Sequence, residues 1–182
     1  MDDLLKKYSH APAHMFVDNA VYFVTGATYL KKMLLASREA KEIFIKKLYH
    51  FCEKYSWDLL EWVILDNHYH FLAKISNSTL MPIAVNTLHK TSAYYIKREM
   101  NISINRFWYQ YWDHCIRNEK EYYTTANYIL YNPIKHNYVK DLKEYPFSSF
   151  HIRLEEDEEK LRSRFLNYDP QKLSTYEDYD DF

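Results

Sequence analysis

Glycine is almost missing from this chain: among 182 residues only Gly26 lacks a side chain. Phosphate-cradling loops of the Walker and Rossmann kinds need several glycines close together, so that the backbone can approach the phosphates. ATP- and dinucleotide-dependent enzymes of those classes are thereby excluded. Cysteine is nearly as scarce. Cys52 and Cys115 are too few for a disulfide framework, no Cys-x-x-Cys spacing occurs, and both read as reduced thiols. No apolar run approaches the roughly 18 residues that a membrane span needs. The opening Met1-Asp-Asp-Leu-Leu-Lys-Lys does not have the make-up of a signal peptide. A cytoplasmic protein with no membrane partner is the expectation.

Net charge is also close to absent, at −1 from 24 basic and 25 acidic residues. The balance is uneven along the chain. Residues 151–182 hold 5 basic and 10 acidic side chains, which leaves 19 and 15 in residues 1–150, a net +4. An acidic tail therefore masks a mildly basic body. Bulk charge of that size gives only weak attraction to nucleic acid. The aromatic content of 18% offers another route, because unstacked bases of a single strand can lie on exposed rings.

Hydrophobic periodicity orders the elements. Residues 20–30 read as a strand. Ser37 caps a helix over about 38–55, with Ala40, Ile43, Phe44, Leu48 and Phe51 at helical spacing. Two strands over about 57–65 and 68–75 form a hairpin. A helix over about 81–99 follows, whose Lys90, Lys97 and Arg98 read either as phosphate contacts or as a solvated face. A strand spans about 104–116, and Asn118 caps a last long helix. The order β-α-β-β-α-β-α points to an α+β fold, a ferredoxin-like antiparallel sheet with helices packed on one face. The domain occupies residues 1–150. The acidic C-terminal tail, 151–182, is expected to be partly helical, over about 155–167, and frayed from Asp169.

Two segments carry the chemistry. In Trp62-Val-Ile-Leu-Asp-Asn-His68-Tyr-His70-Phe-Leu72 the two histidines would leave one face of a strand about 7 Å apart, close enough to ligate one cation. In Tyr128-Ile-Leu-Tyr-Asn132-Pro133 a phenol and an amide oxygen lie four residues apart, on one side of a helix. Drawn on a helical wheel, Tyr122, Tyr123, Ala126, Ile129, Leu130 and Pro133 form the stripe expected to bury. Tyr128 and Asn132 fall opposite it with Thr124 and Thr125, so the helix core does not require that tyrosine. The shared face depends on the helix surviving to Asn132, since a residue before proline is pushed away from helical dihedrals. With nine histidines and nineteen tyrosines in the chain, either pattern alone is cheap. Ordinary strand histidines and a surface tyrosine are the bland alternative.

Taken together, these segments resemble the single-tyrosine HUH transposases, specifically the REP-associated tyrosine transposases and their insertion-sequence relatives. Leu65-Asp-Asn-His68-Tyr-His70-Phe-Leu72 is similar to the HUH strand, with Asp66 where proline is common. Phe107-Trp-Tyr-Gln-Tyr-Trp-Asp-His-Cys-Ile-Arg-Asn118 is similar to the aromatic strand that leads into the tyrosine helix. Tyr128-Ile-Leu-Tyr-Asn132-Pro133 is similar to the Tyr-Ile-x-x-Asn-Pro signature, followed by Asn137 where glycine is usual. Tyr145-Pro-Phe-Ser-Ser149 resembles the closing Tyr-Pro-Trp-Ser-Ser motif, with Phe147 for tryptophan. The motifs run in family order over about residues 15–150.

The resemblance implies a metal-dependent single-stranded DNA endonuclease and strand transferase. It would cut near DNA hairpins, with Tyr128 as nucleophile forming a 5′-phosphotyrosine. His68, His70 and Asn132 would hold a divalent ion, Mg2+ or Mn2+. Lys135, about 20° from Tyr128 on the wheel, is a candidate helper to the phenol. Arg106, Arg117 and Lys135 are candidate DNA contacts, with Tyr109, Tyr111 and Trp112 as candidate stacking rings. Single-stranded or hairpin DNA is the expected partner, and the chain would act as a monomer or a homodimer. Two further readings stay open: a non-catalytic single-stranded nucleic-acid binding module derived from a transposase, and a nuclease using activated water.

Overall fold

β-Branched and aromatic runs become four strands in the computed structural model, which describes residues 17–172. β1 is Ala20–Thr28, β2 Trp57–Ile64, β3 His68–Ile75 and β4 Trp108–Cys115. They form one sheet in the order β2-β3-β1-β4, every neighbour antiparallel. This is the α+β sheet, ferredoxin-like in strand order, that the alternation of strand and helix signals implies. The far end of the acidic tail and the N-terminal segment 1–16 lie outside the described residues.

Helix α1 (Arg38–Lys54) starts where Ser37 Oγ accepts from the Ala40 amide. Helix α2 (Met81–Glu99) has a proline in its first turn. Both pack on one face of the sheet, through Phe44, Leu48, Val85 and Leu88 against Tyr22, Tyr69 and Phe71. Helix α3 (Glu119–Lys135), capped by Asn118, lies on the other face, where Ala126, Tyr128 and Ile129 meet Phe23, Val63 and Leu72. The expectation of helices on one face thus holds for α1 and α2, while α3 takes the opposite side. The cause is legible in β3, whose residues are all buried except Lys74. A strand buried on both faces needs a cover on both.

Two short helices, α4 (Phe150–Glu156) and α5 (Glu158–Asn167), pack on the outside of α3. Leu130, Phe150 and Leu161 form their apolar contact. Buried Glu61 ties them to β2: it accepts from Arg164 Nη1 at 2.8 Å and from Ser149 Oγ at 2.6 Å. Arg164 Nε also donates to Asn127 Oδ1 on α3 at 2.7 Å.

The single glycine is a matter of space. A Cβ on Gly26 would come within 2.6 Å of the Tyr69 ring. Left-handed turns, where glycine is usual, are instead taken by residues such as Asn101 and Asn137.

Candidate active site

β3 presents its side chains alternately. Tyr69 and Phe71 enter the α1/α2 core, while His68, His70 and Leu72 face α3. The loop before His68 is held from several sides. Asn67 O accepts from the Thr28 amide at 2.8 Å, and Asp66 O accepts from the Leu35 amide at 2.8 Å. The Asp66 carboxylate pairs with the buried Lys41 ammonium at 2.5 Å. The residue that stands where proline is common therefore anchors the loop by charge. Asn67 Oδ1 lies 2.7 Å from His68 Nδ1. An amide oxygen can only accept, so the proton sits on Nδ1 and the lone pair on Nε2, as metal-ligating histidines require.

His70 is fully buried. Its ring stacks on Phe23 at 5.4 Å and meets the Tyr128 ring edge-on at 5.6 Å. The His68 and His70 rings are 5.0 Å apart. Helix α3 continues through Pro133 to Lys135, so Tyr128, Asn132 and the helix end share a face. It stops in a Schellman motif. Asn137, at φ 58°, donates to Ile134 O at 3.0 Å, and the Tyr138 amide donates to Pro133 O at 2.9 Å. Asparagine thus fills the glycine position that the family motif leads one to expect.

The buried stripe of α3 is wider than the helical wheel implies. Tyr128 is 3% exposed and Asn132 fully buried, and Thr124 and Thr125 are buried with them. A wheel assumes one buried side, whereas α3 lies between the sheet and the α4–α5 pair. Tyr128 is a core residue as well as a candidate nucleophile. Its hydroxyl accepts a hydrogen bond from Lys135 Nζ at 3.1 Å, and that ammonium also lies 4.8 Å from the ring centre.

Asn132 Nδ2 donates to Tyr128 O at 3.1 Å, and its buried Oδ1 accepts from no donor among the described residues. A buried amide oxygen left without a donor costs stability unless something else satisfies it. A cation would do so. Among the described residues no group of three or more His, Cys, Asp or Glu is arranged to hold a metal ion. A cation here would therefore rest on two imidazoles, the Asn132 oxygen, and oxygens from outside the chain. The residues present fit such an open site.

His136 was not singled out by sequence. It caps the end of α3, and its ring makes an edge contact with His68 at 5.0 Å. Its signal was its spacing, one helical turn past Asn132. Arg106 lies outside this cluster, with its guanidinium 4.7 Å from the Tyr29 ring and 5.1 Å from the Tyr109 ring. Arg117 also lies outside it. It precedes Tyr128 by eleven residues, or roughly 16 Å along the axis, and lies 3.9 Å from Glu121. Of the candidate cations, only Lys135 reaches the tyrosine.

The closing motif braces the site from behind β2. Tyr145 Oη donates to Ile64 O at 2.7 Å, Phe147 O accepts from the Ile64 amide at 2.9 Å, and Ser149 Oγ accepts from the Trp62 amide at 3.0 Å. Burial pushes the Tyr145 phenol well above its ordinary range. It is therefore a fixed neutral donor.

The IS200-like transposase family model matches residues 17–132. A REP-associated tyrosine transposase of Escherichia coli (strain K12) is 27% identical over 139 residues, 71% of this chain and 80% of that protein. A Haemophilus influenzae protein provisionally given the same name is 30% identical over 110 residues, 55% of this chain. The match spans 62% of the Haemophilus protein's length. A solved structure described as a REP-associated tyrosine transposase bound to a REP hairpin superposes with a TM-score of 0.68 at 21% identity. It covers 82% of this chain and 86% of that one. Among the described residues no helix is long and apolar enough to cross a membrane.

Proposed function

Because the chain belongs to the IS200-like transposase family, we propose that it cuts and rejoins single-stranded DNA beside a hairpin, with Tyr128 as the nucleophile. One observation carries this reading: the Tyr128 hydroxyl is held by Lys135 while its ring lies against His70. A phenol with an ordinary pKa near 10 is a poor nucleophile at neutral pH. An ammonium donating to its oxygen favours the phenolate form. Tyr128 Oη then bonds to phosphorus as the bond to the 3′ oxygen breaks. The phenol's proton leaves to solvent, and the departing 3′ oxygen takes one up. The new phosphotyrosine keeps the diester's energy, so a second 3′-hydroxyl can reverse the step without ATP. His68, His70 and Asn132 would hold a divalent cation, magnesium or manganese, which when bound draws charge from the scissile phosphate. Tyr128 meets His70 of its own chain, an arrangement that needs no second copy.

The burial of Tyr128 favours a second reading. A nucleophile has to meet a phosphate, and a tyrosine 3% exposed must first be uncovered. A single-strand binding module without chemistry has no such requirement. A denaturing gel with labelled hairpin DNA separates the readings. A covalent adduct that disappears in Tyr128→Phe supports the nucleophile. Cleavage without an adduct means hydrolysis, and a native-gel shift alone means binding. An adduct that survives Tyr128→Phe and is lost in Tyr131→Phe would move the nucleophile within α3.

A further inference from the structure

We propose that the groove between α2 and the start of β4 is a second DNA subsite, which takes the single-stranded flank of the substrate; this rests on the strand-cutting reading above. The groove encloses about 620 Å3 on the α1/α2 side of the sheet, on the face opposite His68 and His70. Lys90, Lys97 and Arg98 of α2 face Arg106 across it, and no Asp or Glu lines it. In a chain of net charge −1, four cations without an acid lining mark a local site for polyanion. Arg98 also meets Glu99 at 2.6 Å, which leaves the other three to carry most of the field.

The rings decide which form of DNA fits. Tyr94 is 61% exposed and Tyr109 39% exposed, both along the groove. Arg98 lies 5.7 Å from the Tyr94 ring and Arg106 5.1 Å from the Tyr109 ring. Phosphate-binding cations beside open aromatic faces suit unstacked bases, whereas a duplex keeps its base faces covered. The floor is rigid. His89 stacks on Trp108 at 4.6 Å, Tyr69 Oη lies 2.8 Å from His89 Nε2, and Trp108 Nε1 donates to Ser92 Oγ at 3.1 Å.

A path also leads to the cut. β4 is an edge strand, and the Tyr109 ring lies 6.0 Å from Trp112. Trp112 pairs with Thr25, which pairs with His70, so all three residues share the catalytic face. Two strand spacings put Trp112 roughly 10 Å from His70. One DNA strand can therefore leave the groove, round the β4 edge over Tyr109 and Trp112, and arrive at the histidines.

The test is the triple variant Lys90→Gln/Tyr94→Ala/Lys97→Gln, with Lys90→Glu as an independent single change. Binding is measured over a salt series to a hairpin with a single-stranded flank, the same hairpin blunt-ended, and a plain duplex. The triple variant should bind the flanked hairpin at least tenfold more weakly, with a salt slope smaller by about two. Lys90→Glu should weaken the same DNA severalfold. Affinity for the blunt hairpin should match the parent. Unchanged affinity for the flanked hairpin in both variants would overturn the proposal. So would an equal loss for the blunt hairpin, which would assign the groove to the stem. If the parent forms no adduct while the variants still lose flank binding, the groove stands and the cutting reading falls.

Discussion

The two faces of this sheet are built from the same strands to opposite standards. On the α1/α2 side β3 contributes Tyr69 and Phe71 to an aromatic core, whose polar members Tyr69, His89, Trp108 and Ser92 satisfy one another. On the α3 side the same strand contributes His68 and His70, and the facing helix buries Asn132 with an acceptor that has no donor among the described residues. Around His89 that face settles its hydrogen bonding internally, although elsewhere on it the buried Trp57 Nε1 finds no partner among the described residues. The other face holds polar groups in a dry setting, where they interact strongly with whatever enters. The difference separates folding from the proposed chemistry by one residue of strand register.

The largest break in that comparison should come from the histidines. His68→Ala and His70→Ala are each expected to reduce adduct formation at least a hundredfold, and a chelator should do the same to the parent. Asn132→Ala should cost less, since a water can replace one neutral oxygen ligand. Calorimetric titration with Mn2+ gives the matching binding readout, and parental affinity in both histidine variants would refute the site. Next comes Lys135→Met. Loss of a charge-assisted hydrogen bond worth about 1.5–3 kcal/mol should slow cleavage roughly ten- to a hundredfold, with DNA affinity retained. A parental rate would remove Lys135 from the chemistry.

Tyr69→Phe probes the other face. It strips His89 of a buried partner, so stability to urea should fall by about 1–3 kcal/mol. The single-turnover rate at saturating DNA should not change; a large rate loss would mean that the two faces are not separable.

The last effect is a pH slope. Burial pushes His89 down to about 3 from an ordinary 6.5. The unfolded chain therefore binds a proton that the native one refuses between those values. Stability should fall as pH drops from about 6.5 toward 3, by about 1.4 kcal/mol per pH unit from this group. His89→Gln should flatten that slope in urea melts at pH 4 to 6. A slope unchanged by the substitution would mean that His89 is charged in the native state.

Much of the fold is legible in the sequence. Ser37 and Asn118 cap the helices that their position in the chain implies, and the strand and helix order already describes the sheet. Covered surfaces were harder to read. The continuous apolar run around His68 shows that β3 is buried twice over, but not which element lies on its second face. The wheel for α3 placed Tyr128 outside the core because it allowed only one buried side. The hydrogen bonds from Lys135 to Tyr128 and from Asn67 to His68 depend on side-chain placement, which spacing alone does not determine.

The Tyr145–Ser149 segment bears on one more property, the polarity of assembly. It runs along the outer edge of β2, bridging Val63 to Ser148 and occupying the backbone amides of Trp62 and Ile64. One side of the sheet is thereby terminated by the chain's own backbone. Among the described residues β4 has a strand partner on one side only, so its outer row of amides and carbonyls remains the side open to extension. Among the described residues, β4 is thus the longest open edge to which a second copy, a peptide or an aggregating neighbour could add a strand. The molecule is in this sense a template chiefly at one end, and whatever occupies β4 also guards the protein against self-association.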